Sequence, residues 1–254
     1  MYENRWFFLF LHPDCRKELM KTKIILLAFF LLAGVALKAQ GYGGDRYSIS
    51  AYADYGYNSS WKNYGGFDVR GFLPLARHFE MTANAEILTS GVFSSSVTAR
   101  PKFLLPVGEI FLDGTVSFRN LYKYESSELV FAASAGYRMN YISVQAGLFC
   151  RGMFDTGDSP EKYSIWETPL NLVYRVAFRV RPLECRWNVG GGISNYDEYE
   201  YERMWQPMFF INGHYDLNER VSLLACVRIK PTGTFHQIAS FYGIDTRWGV
   251  SYKF

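Results

Sequence analysis

Apolar and polar residues alternate with a period of two along most of the chain after residue 40. The clearest example is the C-terminus, where Trp248, Val250, Tyr252 and Phe254 occupy every second position. A period of two is typical of β-strands that have one apolar face. Twelve such segments can be assigned, at residues 47–55, 67–73, 79–87, 97–103, 110–118, 129–137, 142–150, 170–180, 187–193, 207–215, 221–229 and 242–254. The pattern predicts an all-β chain of twelve strands, and one hairpin assigned differently would give ten or fourteen.

The connections between these segments alternate between short and long. The short ones are LARH, PVG, RMN, PLE and DLNE, and the long ones include NSSWKNYGG, NLYKYESSE and PTGTFHQIASF. A meander with short turns at one end, long loops at the other and both termini at the short-turn end is typical of a transmembrane β-barrel. A sheet in lipid must close on itself because no edge can stay unpaired there. We therefore predict a closed antiparallel up-and-down barrel whose apolar faces contact lipid, rather than a β-sandwich.

A different pattern precedes the strands. The basic segment MKTK (20–23) is followed by the apolar run IILLAFFLLAGVAL (24–37) and by KAQ. This run is shorter than the about 20 residues that span a bilayer, and its flanks are typical of a secretory signal peptide at 20–39, cleaved after Ala39. Residues 1–19 add a second apolar patch and a proline. We expect them to be an over-extended reading frame, or alternatively a short membrane-associated segment, with the barrel at 40–254.

The signal peptide and the terminal sequence WGVSYKF resemble those of Gram-negative outer-membrane β-barrel proteins. In that class the last strand ends in Phe and carries hydrophobic residues at alternate upstream positions, which the barrel-assembly machinery recognises. Trp248, Val250, Tyr252 and Phe254 match this pattern. The resemblance covers the whole mature chain and indicates a porin-like class without a specific family. It implies an outer-membrane location after export, with outer-membrane lipid and the assembly machinery as partners.

Composition adds two points to this interpretation. Aromatic residues make up 18% of the chain, with 19 Tyr and 6 Trp, and these two residue types favour the boundary between lipid and water. The formal net charge is only +3, but the alternation separates the charges. The inward faces of the strands carry more bases than acids, whereas the long loops are acidic, so we expect a basic lumen with an acidic mouth.

Some inward charges should pair across the short turns, because residues opposite one another on one face of a sheet are in contact. The alternation places Arg100 near Asp113 and Arg70 near Glu80, and we predict both pairs as lumen salt bridges. Other inward arginines remain, and we expect them to contact solute. They are Arg138, Arg175, Arg179, Arg186, Arg228 and Arg247, of which the first four find no acid at neighbouring inward positions.

These features predict a narrow passive channel whose arginines favour small anionic solutes, because guanidinium groups offer paired donors to carboxylates and phosphates. One alternative is a closed structural barrel whose inward charges form a salt-bridge network. Another is a barrel that presents loops to a partner. In that case the loop NYDEYEYERMW (195–205), with alternating acids and aromatics, would bind a sugar or a cationic partner.

Two loops have competing interpretations. The alternation in 195–205 also fits two strands that simply continue above the membrane, which we favour over a binding role. The connection at 153–167 is the longest, and on length alone we predict that it folds into the lumen.

Other functional classes have weak support. An outer-membrane hydrolase would need a triad such as His236, Ser240 and Asp245, whose geometry the sequence does not fix, so we expect no enzyme. The cysteines form no metal-binding motif, and we predict no metal and no cofactor. Nucleic acid is an unsuitable partner, because the bases point into the lumen rather than across an exposed face.

Overall fold

A computed structural model describes residues 46–58, 62–157, 164–166, 170–180, 185–204, 206–231, 234–235, 239–240 and 243–254. The predicted signal peptide and the extension at 1–19 lie outside these residues. Within them, no helix is long and apolar enough to cross a membrane.

The structure is almost entirely β-sheet, with one short 3₁₀ turn at Tyr122–Tyr124. The first seven strands are β1 (Ser48–Asn58), β2 (Lys62–Ala76), β3 (Phe79–Leu88), β4 (Val92–Leu104), β5 (Glu109–Leu121), β6 (Ser126–Arg138) and β7 (Ile142–Asp155). The remaining strands are β8 (Ser164–Trp166), β9 (Asn171–Val180), β10 (Trp187–Ser194), β11 (Met208–Asp216), β12 (Val221–Lys230), β13 (Thr234–Phe235), β14 (Ala239–Ser240) and β15 (Gly243–Lys253).

Twelve of these strands form a closed barrel, as the alternation predicts. Each long strand pairs antiparallel with its neighbours in the chain, β6 pairs with β7, and β15 pairs with both β12 and β1. The short strand β8 pairs with the end of β7, and β13 pairs with β14 in a separate hairpin. Because β1 and β15 close the sheet, the last residue also takes part, and the Phe254 amide donates to the Tyr47 carbonyl at 2.9 Å.

The strands run further than predicted at the long-loop end. Residues Lys62–Gly66 were expected in a loop but form the start of β2, and β4 begins at Val92 rather than at residue 97. The loops between β1 and β2 and between β3 and β4 are therefore short. The added strand residues at the starts of β2 and β4 lack an apolar stripe, which is why the sequence pattern did not reveal them.

The two faces of the barrel are reversed relative to a soluble protein. On the outside, Ile87, Ile211 and Trp248 are 55%, 61% and 62% exposed. On the inside, Asp68 and Glu128 are fully buried. An apolar outer band with a polar interior is stable only where lipid covers the outside, since each large apolar side chain transferred from water contributes about 1.5–3 kcal/mol.

Candidate channel lumen

The predicted salt bridge between Arg100 and Asp113 is present on the inner wall. The Arg100 guanidinium donates to both Asp113 oxygens, at 2.6 and 2.8 Å. Glu80 lies beside this pair and accepts from Arg100 at 3.3 Å and from Lys102 at 2.9 Å. These contacts follow from the register, because Glu80 lies directly opposite Arg100 in the β3–β4 ladder.

The predicted pair of Arg70 with Glu80 does not form. In the β2–β3 ladder Arg70 lies opposite Asn84, four positions away from Glu80. Arg70 instead contacts Asp68 at 2.6 Å and Glu198 at 2.5 Å. The prediction used only the shared inward face of the two residues across the short turn, and a shared face does not bring two residues into register.

Glu198 belongs to a loop that lies inside the barrel. This loop, Asn195–Gln206, connects β10 to β11, and we call it the plug loop. Two of its aromatic side chains are enclosed, with Tyr199 only 1% and Tyr201 only 3% exposed. The interpretation of 195–205 as strands that continue above the membrane is therefore wrong. Burial of its rings also removes the exposed acidic and aromatic patch that partner binding would need.

The base of the plug loop is fixed by one buried asparagine. The Asn195 side chain accepts from the Tyr174 amide at 2.8 Å and donates to the carbonyls of Leu172 and Glu202, at 2.7 and 2.8 Å. Leu172 and Tyr174 belong to β9, whereas Glu202 is on the returning arm of the loop. A single side chain thus joins both arms to the wall, which directs the loop inward.

The tip of the plug loop is a tight turn organised by Asp197. Its carboxylate accepts from the amides of Tyr199 and Glu200, at 2.7 and 2.8 Å, and its own amide donates to the Glu200 carbonyl at 2.9 Å. Below the tip, Tyr196 and Tyr201 form an isolated β-bridge, and their rings stack 5.5 Å apart. The loop is therefore a small hairpin with its own hydrogen bonds, rather than an irregular strand.

Acids of the tip reach cations on several parts of the wall. Glu198 contacts Arg70 on β2, and Glu200 contacts Arg119 on β5 at 2.7 Å and Lys230 on β12 at 2.6 Å. The plug loop starts from β10, so these contacts span the lumen.

A hydrogen bond from the Tyr199 hydroxyl to Asp68 on β2, at 2.7 Å, adds a neutral tether to these ion pairs.

Arg247 is the most heavily paired cation of the wall. It is 2% exposed, and its guanidinium lies 3.1 Å from Asp54, 2.9 Å from Glu86, 3.4 Å from Asp68 and 3.5 Å from Glu198. With Asp245 at 4.0 Å, five carboxylates surround this guanidinium. The expectation that Arg247 contacts solute therefore needs correction, because the plug loop and the wall already occupy it.

Arg228 is likewise occupied. It donates to Asp245 at 2.8 Å and forms an ion pair with Asp197 of the plug loop. Asp245, the acid of the candidate triad, is therefore bound to Arg228. Ser240 of that triad lies in β14, and His236 lies outside the described residues. Across the described part of the chain, no cluster of three or more His, Cys, Asp or Glu side chains could hold a metal ion.

The short-turn end of the lumen is more open. Three adjoining cavities of about 180, 290 and 250 Å³ lie beneath the plug loop, and Arg175 lines all three. Arg179 lines two of them. Among the described residues, no carboxylate oxygen lies within 4.0 Å of either guanidinium.

The other two arginines predicted to lack partners differ from these. Arg138 contacts Glu109 at 2.8 Å, directly opposite it in the β5–β6 register. The sequence analysis did not count Glu109 as inward, because it is the first residue after the PVG turn. Arg186 lies at the turn before β10 and donates to the Leu217 carbonyl at 3.4 Å.

Charge rather than burial sets the ionisation of the plug-loop tip. Burial raises the pKa of Glu198, but Arg70, Arg247 and Arg175 together outweigh it and bring the pKa down to about 2. Burial likewise raises the pKa of Glu200, and Lys230, Arg119 and Arg247 together bring it down to about 2. At Glu202 burial prevails over Lys230, and the pKa is raised. The two tip carboxylates are therefore ionised at neutral pH and are held by their cations.

The connection predicted to fold inward is only partly described. Residues Ser164–Trp166 pair with the end of β7 and are exposed, and Trp166 stacks on the outward Phe131 with ring centroids 6.3 Å apart. This part of 153–167 continues the wall, whereas 158–163 and 167 lie outside the described residues. Inward folding of the rest of this connection stays a prediction.

Comparison with protein-family models and with curated protein sequences gives no match. Solved structures are similar in fold. The translocator domain of autotransporter NalP from Neisseria meningitidis has a TM-score of 0.52 at 13% identity, over 92% of this chain and 98% of that chain. A NanC porin structure has a TM-score of 0.53 at 8% identity, over 80% of this chain and 100% of that chain. These similarities show the fold of an outer-membrane β-barrel and leave the activity to the lumen itself.

Proposed function

We propose that the protein is a narrow outer-membrane channel, closed in the present state by the plug loop, that favours small anionic solutes. The observation that carries this proposal is the nature of the closing element. A loop tethered by ion pairs occupies the lumen toward its long-loop end, and a loop can move without disturbing the β-ladders of the wall.

The outer surface supports the membrane location. Outward apolar side chains cover the barrel, and the last strand presents Trp248, Val250, Tyr252 and Phe254 on that surface, between 40% and 62% exposed. We infer that these four residues act as the assembly signal for the barrel-assembly machinery and then contact lipid. Their position at the closing seam with β1 suits both roles.

A channel fits the lumen better than a barrel filled by its own wall. The cavities at the short-turn end are lined by wall side chains but are not filled by them. In a structural barrel we would expect packed side chains at this level, since protein interiors contain few voids larger than a water molecule. Arg175 and Arg179 line one of these cavities together and have no carboxylate of the described residues in ion-pair contact, which favours anions over cations.

Single-channel recording in planar bilayers tests the proposal with a Glu198→Gln/Glu200→Gln variant. Each substitution removes a charged hydrogen-bond acceptor of the plug loop, and a hydrogen bond to a charged group stabilises the docked loop by about 1.5–3 kcal/mol. The plug loop should therefore leave the lumen more often. We expect open events to become several-fold more frequent than in the unsubstituted protein, with a reversal potential in a KCl gradient that indicates anion preference.

A Glu219→Gln variant is the matched control, because Glu219 is an acid in an exposed turn whose ion pair with Arg46 lies outside the lumen. It should behave as the unsubstituted protein does. A Glu198→Gln/Glu200→Gln variant that folds but conducts no current would refute the channel and favour the closed structural barrel.

A further inference from the structure

Four arginines and two phenylalanines gather at the short-turn end of the lumen, below the plug loop. We call this region the vestibule, and it consists of Arg100, Arg138, Arg175, Arg179, Phe111 and Phe210, which line one cavity together. Gln145 and Asn212 line the same cavity with uncharged polar groups. It opens beside the turn at 139–141, at the end of the barrel that carries both termini of the sheet.

Aromatic rings support the guanidinium groups of the vestibule. Arg100 and Arg138 both lie over the Phe111 ring, 4.7 and 5.2 Å from its centroid. Arg175 lies 4.5 Å from the centroid of Phe210. Stacking on a ring holds a guanidinium while leaving its N–H donors free at the edge.

Space for these stacks comes from a glycine in the neighbouring strand. A Cβ atom at Gly136 would lie 2.2 Å from the Phe111 ring, so a larger residue there would displace the ring that carries both arginines.

The charges of the vestibule do not balance. Asp113 neutralises Arg100, and Glu109 neutralises Arg138. No carboxylate of the described residues comes within 4.0 Å of Arg175 or Arg179. Two positive charges therefore face the cavity without a carboxylate in ion-pair contact, and Arg179 is the more exposed of the two.

We propose that Arg175 and Arg179 form a binding site for a small oxyanion with two negative charges, such as a phosphate or a dicarboxylate. The site deepens the proposed channel and rests on it for the passage of the ligand, although binding itself requires no conduction. Guanidinium groups suit this ligand class because their paired N–H groups match two oxygens of a carboxylate or phosphate.

The site also adjoins the plug loop. Arg175 also lines the other two lumen cavities, together with Tyr196 and Glu198 of the plug loop. An anion bound at Arg175 would compete with Glu198 for the same positive field. Ligand in the vestibule should thus loosen the plug loop, and by linkage a loosened loop should bind the ligand more tightly.

Cys226 offers a native reporter, since it lines one cavity with both arginines. The experiment uses the full chain with Cys15, Cys150 and Cys185 replaced by serine, folded in detergent. Two thiol reagents are compared, the anionic sulfonatoethyl and the cationic trimethylammonium-ethyl methanethiosulfonate, with each rate divided by its rate on free cysteine. We expect the normalised ratio to favour the anionic reagent about tenfold or more, because charged clefts raise local anion concentration by such factors.

Three variants make the result specific. The Arg175→Gln/Arg179→Gln variant should bring the normalised ratio close to one, and Arg175→Lys/Arg179→Lys should retain most of the preference. The control Arg186→Gln removes an arginine at the same end that lines none of the three cavities, and it should change nothing. Equal rates for both reagents, or a preference that survives the glutamine pair, would overturn the site.

Competition identifies the ligand class at constant ionic strength. Inorganic phosphate or succinate, at millimolar concentration, should slow the anionic reagent in the arginine protein but not in the glutamine pair. Protection by phosphate alone indicates a phosphate ligand, and protection by succinate alone indicates a dicarboxylate. Protection by neither refutes the proposal. A clear anion preference in a barrel that never conducts would support the site and refute the channel, so the two failures are distinguishable.

Discussion

The two halves of the lumen have similar walls but different charge balance. Toward the long-loop end, Arg247, Arg119 and Lys230 are each in contact with carboxylates of the wall or the plug loop. Toward the short-turn end, Arg175 and Arg179 face cavities with no carboxylate of the described residues in contact. The plug loop causes this difference, because it delivers acids to one half only. Availability of a lumen arginine to a solute therefore depends on where a loop docks as well as on the wall.

The largest difference in the free energy of unfolding should appear when one arginine is replaced in each half and the two variants are compared. Arg247→Gln leaves Asp54, Asp68 and Glu86 buried around an uncharged side chain, and breaking a buried ion pair in this way costs about 3–5 kcal/mol. Arg179→Gln removes a charge that has no partner, so the free energy of unfolding should change little. Urea unfolding of the barrel in phospholipid vesicles measures both.

Equal costs at the two positions would contradict this comparison, because the halves would then not differ in pairing. A stabilising effect of Arg179→Gln would sharpen it, since removal of an unpaired charge from a cluster of arginines relieves repulsion.

A smaller effect should follow from pH, and it should appear in the plug-loop half alone. The docked pKa of Glu198 and that of Glu200 are both lowered to about 2 from the ordinary 4.5. Docking is therefore fully stabilised above pH 4.5 and is lost as the pH falls toward 2. We expect open events in bilayer recordings to become a few-fold more frequent between pH 5 and about 3.

The Glu198→Gln/Glu200→Gln variant supplies the control for this titration, since it lacks both carboxyls. It should show a much weaker pH dependence over the same range. A response that persists unchanged in the variant would assign the titration to other groups.

The strands were predictable because lipid imposes a strict pattern on the wall. Every second residue must be apolar where the barrel meets lipid, so a period of two marks each crossing. The pattern ends where both faces meet water, and the start of β2 at Lys62–Gly66 was therefore missed. Pairings were harder, because the register decides them: Glu80 lies opposite Arg100 and not opposite Arg70.

The plug loop was not predictable from local spacing. Alternating Glu and Tyr at 198–202 fits an exposed hairpin as well as a buried one. Its position depends on cations from β2, β5, β12 and β15, which are distant in the sequence. The sum of charges does not single out this loop either, because residues 153–167 and residues 195–205 each carry four acids and one base.

The most direct test of the account is the single-channel conductance of a variant in which residues 197–202 are replaced by two glycines. The β-ladders of the wall do not include these residues, so the barrel should still fold. If the plug loop closes the lumen, the variant should conduct a steady anion-preferring current under conditions in which the unsubstituted protein is mostly closed. If the folded variant remains closed, the wall itself blocks the lumen, and the protein is not a channel.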